Sequence, residues 1–90
     1  MKYRAIKISP HDNVAVLVQP THKGKTVSVA GSGEAIVVNQ EIPFGHKIAL
    51  VPIAKGEAVL RYNEVICIAA KDIKPGEWVH VHNTASEVTG

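Results

Sequence analysis

The residues able to do chemistry gather at His80-Val81-His82-Asn83 near the C-terminal end, with smaller groups at His11-Asp12-Asn13, His46-Lys47 and Arg61-Tyr62. On a β-strand, residues i and i+2 project from one face. A strand through His80 and His82 therefore presents two imidazoles together, while Val79 and Val81 face the other way. Two imidazoles so placed can share one metal ion. A solvent-facing strand that happens to carry two polar side chains is the competing explanation. Asn83 adds an amide able to orient a ligand or to cap the strand end.

His11 lies in a turn after Pro10, and turns on a rigid scaffold are natural places for function. Asp12 and Asn13 are accounted for as Asx-turn residues bonding their own backbone, which leaves His11 as the functional candidate. Lys47 and Arg61 bring cations near the imidazoles, a combination suited to a carboxylate-bearing substrate, because Arg grips a carboxylate with two parallel hydrogen bonds. Taken singly, each is also an ordinary solvated cation. His22 reads as an exposed loop histidine. Trp78, the one tryptophan, reads as a packing residue of the core or of a partner surface. Cys67 has no second cysteine to pair with. Within its apolar run it reads as a buried, reduced thiol, which points to the cytoplasm.

Several chemistries have no residues to carry them. The chain has no Ser/His/Asp arrangement, no cysteine pair for zinc, no phosphate loop and no GxGxxG. No two carboxylates stand at a spacing that suggests a paired acid and base. The net charge of +2 with scattered lysines argues against nucleic acid. No segment approaches the roughly 18 unbroken apolar residues of a membrane helix, and no apolar h-region follows Met1-Lys2-Tyr3-Arg4, so neither membrane nor secretion is expected. Ninety residues make one small domain with a thin stability margin, so self-association or docking onto a larger partner is expected.

The elements that must position these groups follow a repeat. Gly24-Lys25-Thr26-Val27, Gly45-His46-Lys47-Ile48, Gly56-Glu57-Ala58-Val59 and Gly76-Glu77-Trp78-Val79 share the spacing Gly-x-x-Val/Ile, and Ile42, Ile53 and Ile73 stand three residues before the last three glycines. Each unit reads as an apolar residue, a glycine turn and the start of a strand. Valine- and isoleucine-rich runs bounded by Gly, Pro, Asn and Asp predict strands over Tyr3–Ile8, Val14–Val18, Thr26–Ala30, Ala35–Val38, Lys47–Val51, Val59–Arg61, Val65–Ala70 and Trp78–His82. Short strands about every ten residues predict a compact, curled all-β domain. Ala69-Ala70-Lys71 leaves a short helix over Ile66–Lys71 open. Residues 1–83 form the expected domain and Thr84 to Gly90 a polar tail.

With those motifs in place, the chain resembles a known family. The run Ile42-Pro-Phe-Gly-His-Lys-Ile-Ala-Leu50, then Ile53-Ala-Lys-Gly-Glu-Ala-Val59, Arg61-Tyr62 and Ile73-Lys-Pro-Gly-Glu-Trp-Val-His-Val-His-Asn83, is similar to the SAF domain of the altronate dehydratase family. His11-Asp12-Asn13-Val14-Ala15 fits that family's start. The resemblance covers nearly the whole chain and implies a β-clip fold. It also implies a share in the metal-dependent elimination of water from an aldonic or aldaric acid, through a divalent metal such as iron or manganese. The partner it implies is a large dehydratase chain. By this resemblance His11, His46, Arg61 and Tyr62 are catalytic candidates, Lys47 and Asn83 contact substrate, and His80 and His82 hold metal. The chain departs from the pattern at Asn63 and Cys67, where the family favours glycine; Asn tolerates left-handed backbone, so the turn survives. Two other readings accompany this one. The first is the small subunit of a sulfolactate sulfo-lyase. The second is a stand-alone SAF-type module that binds an acidic ligand or a protein without catalysis.

Overall fold

A computed structural model describes residues 3–85. These residues form nine short strands and no helix: β1 (Tyr3–Ile6), β2 (Val14–Leu17), β3 (Thr26–Ala30), β4 (Ala35–Val37), β5 (Lys47–Ala49), β6 (Ala58–Arg61), β7 (Glu64–Ala69), β8 (Trp78–Val79) and β9 (Thr84–Ala85). The helix considered over Ile66–Lys71 is a strand instead. β7 pairs with β6 on one side and β9 on the other, and this two-sided ladder overrides a weak local helix preference. Thr84 and Ala85, expected in a tail, form β9; the rest of that tail, 86–90, lies outside the described residues.

Six strands make a curled sheet in the order β4-β3-β1-β2-β5-β8, and three make a smaller sheet, β6-β7-β9. β1 and β3 run parallel; the other pairs are antiparallel. Period-2 burial is clean in β3, where Val27 and Val29 are buried and Thr26, Ser28 and Ala30 are not.

The glycine repeat is one structural unit used four times. In each copy a bridge residue leads into a turn closed by the backbone bonds Lys25 N to His22 O, His46 N to Pro43 O, Glu57 N to Ala54 O and Glu77 N to Lys74 O. Gly24, Gly45, Gly56 and Gly76 occupy the third turn position with φ between 83° and 90°, the left-handed geometry that glycine tolerates. The bridge residues pair two by two, Thr21 with Ile42 and Ile53 with Ile73. Thr21 thus takes the place of the isoleucine that the first unit lacks, and it is buried with its hydroxyl unpartnered among the described residues.

The apolar core follows the same halves. One cluster, including Leu17, Val27, Ile42 and Ile48, lies on the large sheet. The other, including Val14, Ile53, Val59, Ile73 and Val79, lies at the junction of the two sheets. Burying each Val, Ile or Leu side chain contributes about 1.5–3 kcal/mol. Together they fix the junction where the candidate site sits.

Candidate functional site

Asp12 and Asn13 build the floor of that junction. Asp12 is buried, and its Oδ2 accepts from the Ser9 and Tyr62 amides at 3.1 and 3.0 Å while Oδ1 accepts from Asn63 at 2.8 Å. Tyr62 and Asn63 form the tip of the β6–β7 hairpin with φ of 57° and 60°. Left-handed backbone is costly outside glycine, and the carboxylate stabilises it from across the fold. Asn13 clamps the same hairpin at the Val59/Leu60 bulge, accepting from Leu60 N at 2.8 Å and donating to Ala58 O at 2.9 Å. Only the Ser9 bond is local, and it reaches back three residues rather than two ahead as an Asx-turn does; the long-range clamp is what the sequence reading missed. Burial alone would push the Asp12 carboxyl up, but the backbone N–H groups of Asn63, Ser9, Tyr62 and Ile8 hold it below the usual carboxylate value.

The hairpin so held carries Arg61 into a cavity of about 250 Å³ at the junction. Its walls include Lys47 from β5, Arg61 from β6, Cys67 from β7, His80 and Val81 after β8, and Thr84 from β9. Two cations and an imidazole line it, and among the described residues no carboxylate does. The Arg61 Nε is buried without a hydrogen-bond partner among the described residues, while its guanidinium carbon stands 5.3 Å from the centre of the Tyr62 ring. A buried donor left unpaired costs about 1–3 kcal/mol, so an acceptor that reached Arg61 Nε would stabilise the fold. Burial pushes the Cys67 thiol up, opposed by a hydrogen bond with Thr84 and by the Lys47 charge. Cys67 is therefore a neutral wall residue rather than a thiolate.

The C-terminal histidines are placed differently from a strand pair. β8 ends at Val79, and residues 80–83 turn. The cause is Asn83, which is buried, accepts from His80 N at 2.9 Å and donates to Trp78 O at 2.8 Å. Its amide is occupied by backbone and shapes the turn. His80 and His82 nevertheless adjoin, because both rings rest on Trp78. The His80 ring is stacked at 5.0 Å and 12°, and the His82 ring lies edge-on at 5.6 Å. His46 joins them, with its ring 4.9 Å from that of His80 and its Nδ1 accepting from Trp78 Nε1 at 3.2 Å. Trp78 thus organises three imidazoles, a role that its sequence context did not signal.

Of the candidate residues, Lys47, Arg61 and His80 meet in the cavity; His46 and His82 stand behind His80 on Trp78. Tyr62 is exposed at the hairpin tip, and His11 is exposed in its own turn, apart from the cavity walls. A metal fits poorly as the side chains stand. Among the described residues no three His, Cys, Asp or Glu side chains converge, and the His80 and His82 ring centroids are 6.5 Å apart. An imidazole nitrogen bonds a metal at about 2.0–2.1 Å, which places two tetrahedrally bound rings roughly 5 Å apart.

Comparison with known proteins identifies the family. The family model of the altronate/galactarate dehydratase SAF domain matches residues 3–87. Altronate dehydratase of Escherichia coli is 40% identical over 84 residues, which is 93% of this chain and 17% of that protein. Altronate dehydratase of Bacillus subtilis is 37% identical, again over 93% of this chain and 16% of that protein. The (2R)-sulfolactate sulfo-lyase subunit alpha of Chromohalobacter salexigens is 40% identical over 56% of this chain and 53% of that subunit. The chain therefore spans about a sixth of the altronate dehydratases it matches. Residue pattern, all-β architecture and family match converge: this chain belongs to the SAF-domain family of the altronate and galactarate dehydratases.

Proposed function

We propose that this chain is the SAF component of a cytoplasmic sugar-acid dehydratase, supplying the cationic wall of a site that a large chain completes. The observation that carries the reading is the junction cavity, with Lys47 and Arg61 on its walls and, among the described residues, neither a partner for the buried Arg61 Nε nor a carboxylate in the lining. Such a wall receives one carboxylate of an aldonic or aldaric acid. At about 250 Å³ the cavity falls below the roughly 300–1,000 Å³ usual for a complete small-molecule site. It therefore holds one end of the ligand. The similarity to a sulfo-lyase subunit alpha supports a separate large partner, and a free thiol such as Cys67 suits a reducing compartment.

The elimination removes a proton next to the carboxylate and expels hydroxide from the neighbouring carbon. As that proton leaves, charge builds on the carboxylate oxygens. Arg61 and Lys47 stabilise this charge with donors already in place, which is the source of most electrostatic rate enhancement. Among the described residues His80 is the imidazole on the cavity wall; the further group that proton transfer requires is assigned to the large chain. The divalent metal that the resemblance implies finds no three-ligand set among the described residues, and none of them is assigned as its ligand.

Reconstitution with the large chain tests the reading. Lys47→Met and Arg61→Met are each expected to raise the KM for altronate at least tenfold while the complex still assembles. An unchanged KM in both variants refutes the cavity as a substrate wall. A second reading, the small subunit of a sulfolactate sulfo-lyase, is supported by the match to the subunit alpha of Paracoccus pantotrophus, 38% identical over 72% of that subunit. Turnover of sulfolactate, with release of sulfite and none of altronate, decides for it.

A further inference from the structure

Trp78 makes more specific contacts than core packing requires. Its indole Nε1–H donates to His46 Nδ1 at 3.2 Å, its ring supports His80 at 5.0 Å, and the His46 ring meets the His80 ring edge to face at 4.9 Å. An indole nitrogen can only donate, so His46 Nδ1 must offer a bare lone pair. In neutral imidazole one nitrogen carries the proton and the other does not, and the bond made by one fixes the state of the other. We infer that Trp78 is a positioning residue that locks neutral His46 in the tautomer protonated at Nε2, so that a ligand reaching that nitrogen meets a hydrogen-bond donor.

The consequence is a restriction of roles. A general base or a metal ligand needs a bare nitrogen facing outward, and the indole bond keeps the bare nitrogen turned toward Trp78. Loss of the Nε2 proton would leave an imidazolate anion, so neutral His46 stabilises charge without transferring a proton. The ligand chemistry that suits an N–H donor is an anionic oxygen, either a carboxylate or the oxygen that gains charge when the neighbouring proton departs. His46 also stands against His80, a wall residue of the cavity. The donor role rests on the anion-site reading given above; the tautomer does not.

The test is a long-range ¹H–¹⁵N correlation on the ¹⁵N-labelled 90-residue chain, at a pH where the imidazoles are neutral. Wild type is expected to show His46 bare at Nδ1 and protonated at Nε2, and Trp78→Phe to show a mixture of both tautomers. His46→Ala gives a second arm that spares the tryptophan: the Trp78 indole N–H is expected to exchange with solvent at least tenfold faster. A proton on Nδ1 in wild type, tautomer populations unmoved by Trp78→Phe, or an unchanged indole exchange rate in His46→Ala each overturns the lock. Titration of the labelled chain with altronate, carried out in the complex reconstituted with the large chain, separates the two readings. A shift at Arg61 Nε–H with His46 Nε2–H unmoved overturns the donor role and leaves the cavity standing, whereas silence at both overturns the cavity and the donor role together.

Discussion

Replacing Asp12 with Asn tests how the hairpin that carries Arg61 is held. The substitution keeps the shape of the side chain and removes its charge. One amide oxygen can still accept from Asn63 N, now at 2.8 Å, but the NH₂ group then faces the Ser9 and Tyr62 N–H donors, which lie 3.1 and 3.0 Å from the present carboxylate oxygen. Two part-buried donors lose their acceptor at about 1–3 kcal/mol each, less where water reaches the hairpin tip, so the expected loss is about 2–4 kcal/mol. A 90-residue domain has a total stability of about 5–13 kcal/mol. A loss of that size lowers Tm by roughly 8–32 °C at about 4–8 °C per kcal/mol.

The pH dependence supplies a second check. The folded carboxyl lies below its unfolded value, so the unfolded chain binds the proton more readily. Stability from Asp12 is therefore fully present above the unfolded carboxylate value of about 4 and is lost as pH falls through the folded one. The gap between wild type and Asp12→Asn should be widest near neutrality and narrow on acidification below about pH 4. Thermal melts by circular dichroism from pH 7 to pH 3 measure it. Melting temperatures within about 2 °C of each other at pH 7, or a gap that stays constant to pH 3, refute the carboxylate clamp.

Other expectations follow from single contacts. Gly76→Ala should destabilise far more than Gly56→Ala in denaturant titrations. Both carry φ of +90°, but a Cβ at Gly76 would sit 2.1 Å from the Val37 carbonyl oxygen, whereas at Gly56 it meets open space; Gly56→Ala should cost about 1–2 kcal/mol. Thr21→Val should stabilise by about 1 kcal/mol in the same titrations, because it removes a buried hydroxyl with no partner among the described residues. Cys67 should react with iodoacetamide more slowly than a free cysteine at pH 8, since burial pushes its thiol up. Lys47→Met should slow it further by removing the charge that favours the thiolate, and equal rates in the two proteins would show that Lys47 does not act on Cys67.

The sequence by itself determined the local grammar of this domain. Glycines 24, 45, 56 and 76 with their following Val or Ile positions marked four turn-and-strand units, because left-handed turns select glycine and half-buried strands select β-branched residues at period 2. It also determined the family, since ordered motifs along nearly the whole chain cannot arise from composition alone. Tertiary structure decided what lies between distant segments. Asp12 looks like a local turn residue until the fold brings Tyr62 and Asn63 against it, fifty positions away. His80 and His82 look like a strand pair until buried Asn83 turns the chain at Val79. Trp78 looks like packing until its indole reaches His46 from a neighbouring strand. A local pattern records what a residue tolerates in its own backbone, whereas a hydrogen bond across 32 or 51 positions exists only after the chain has closed.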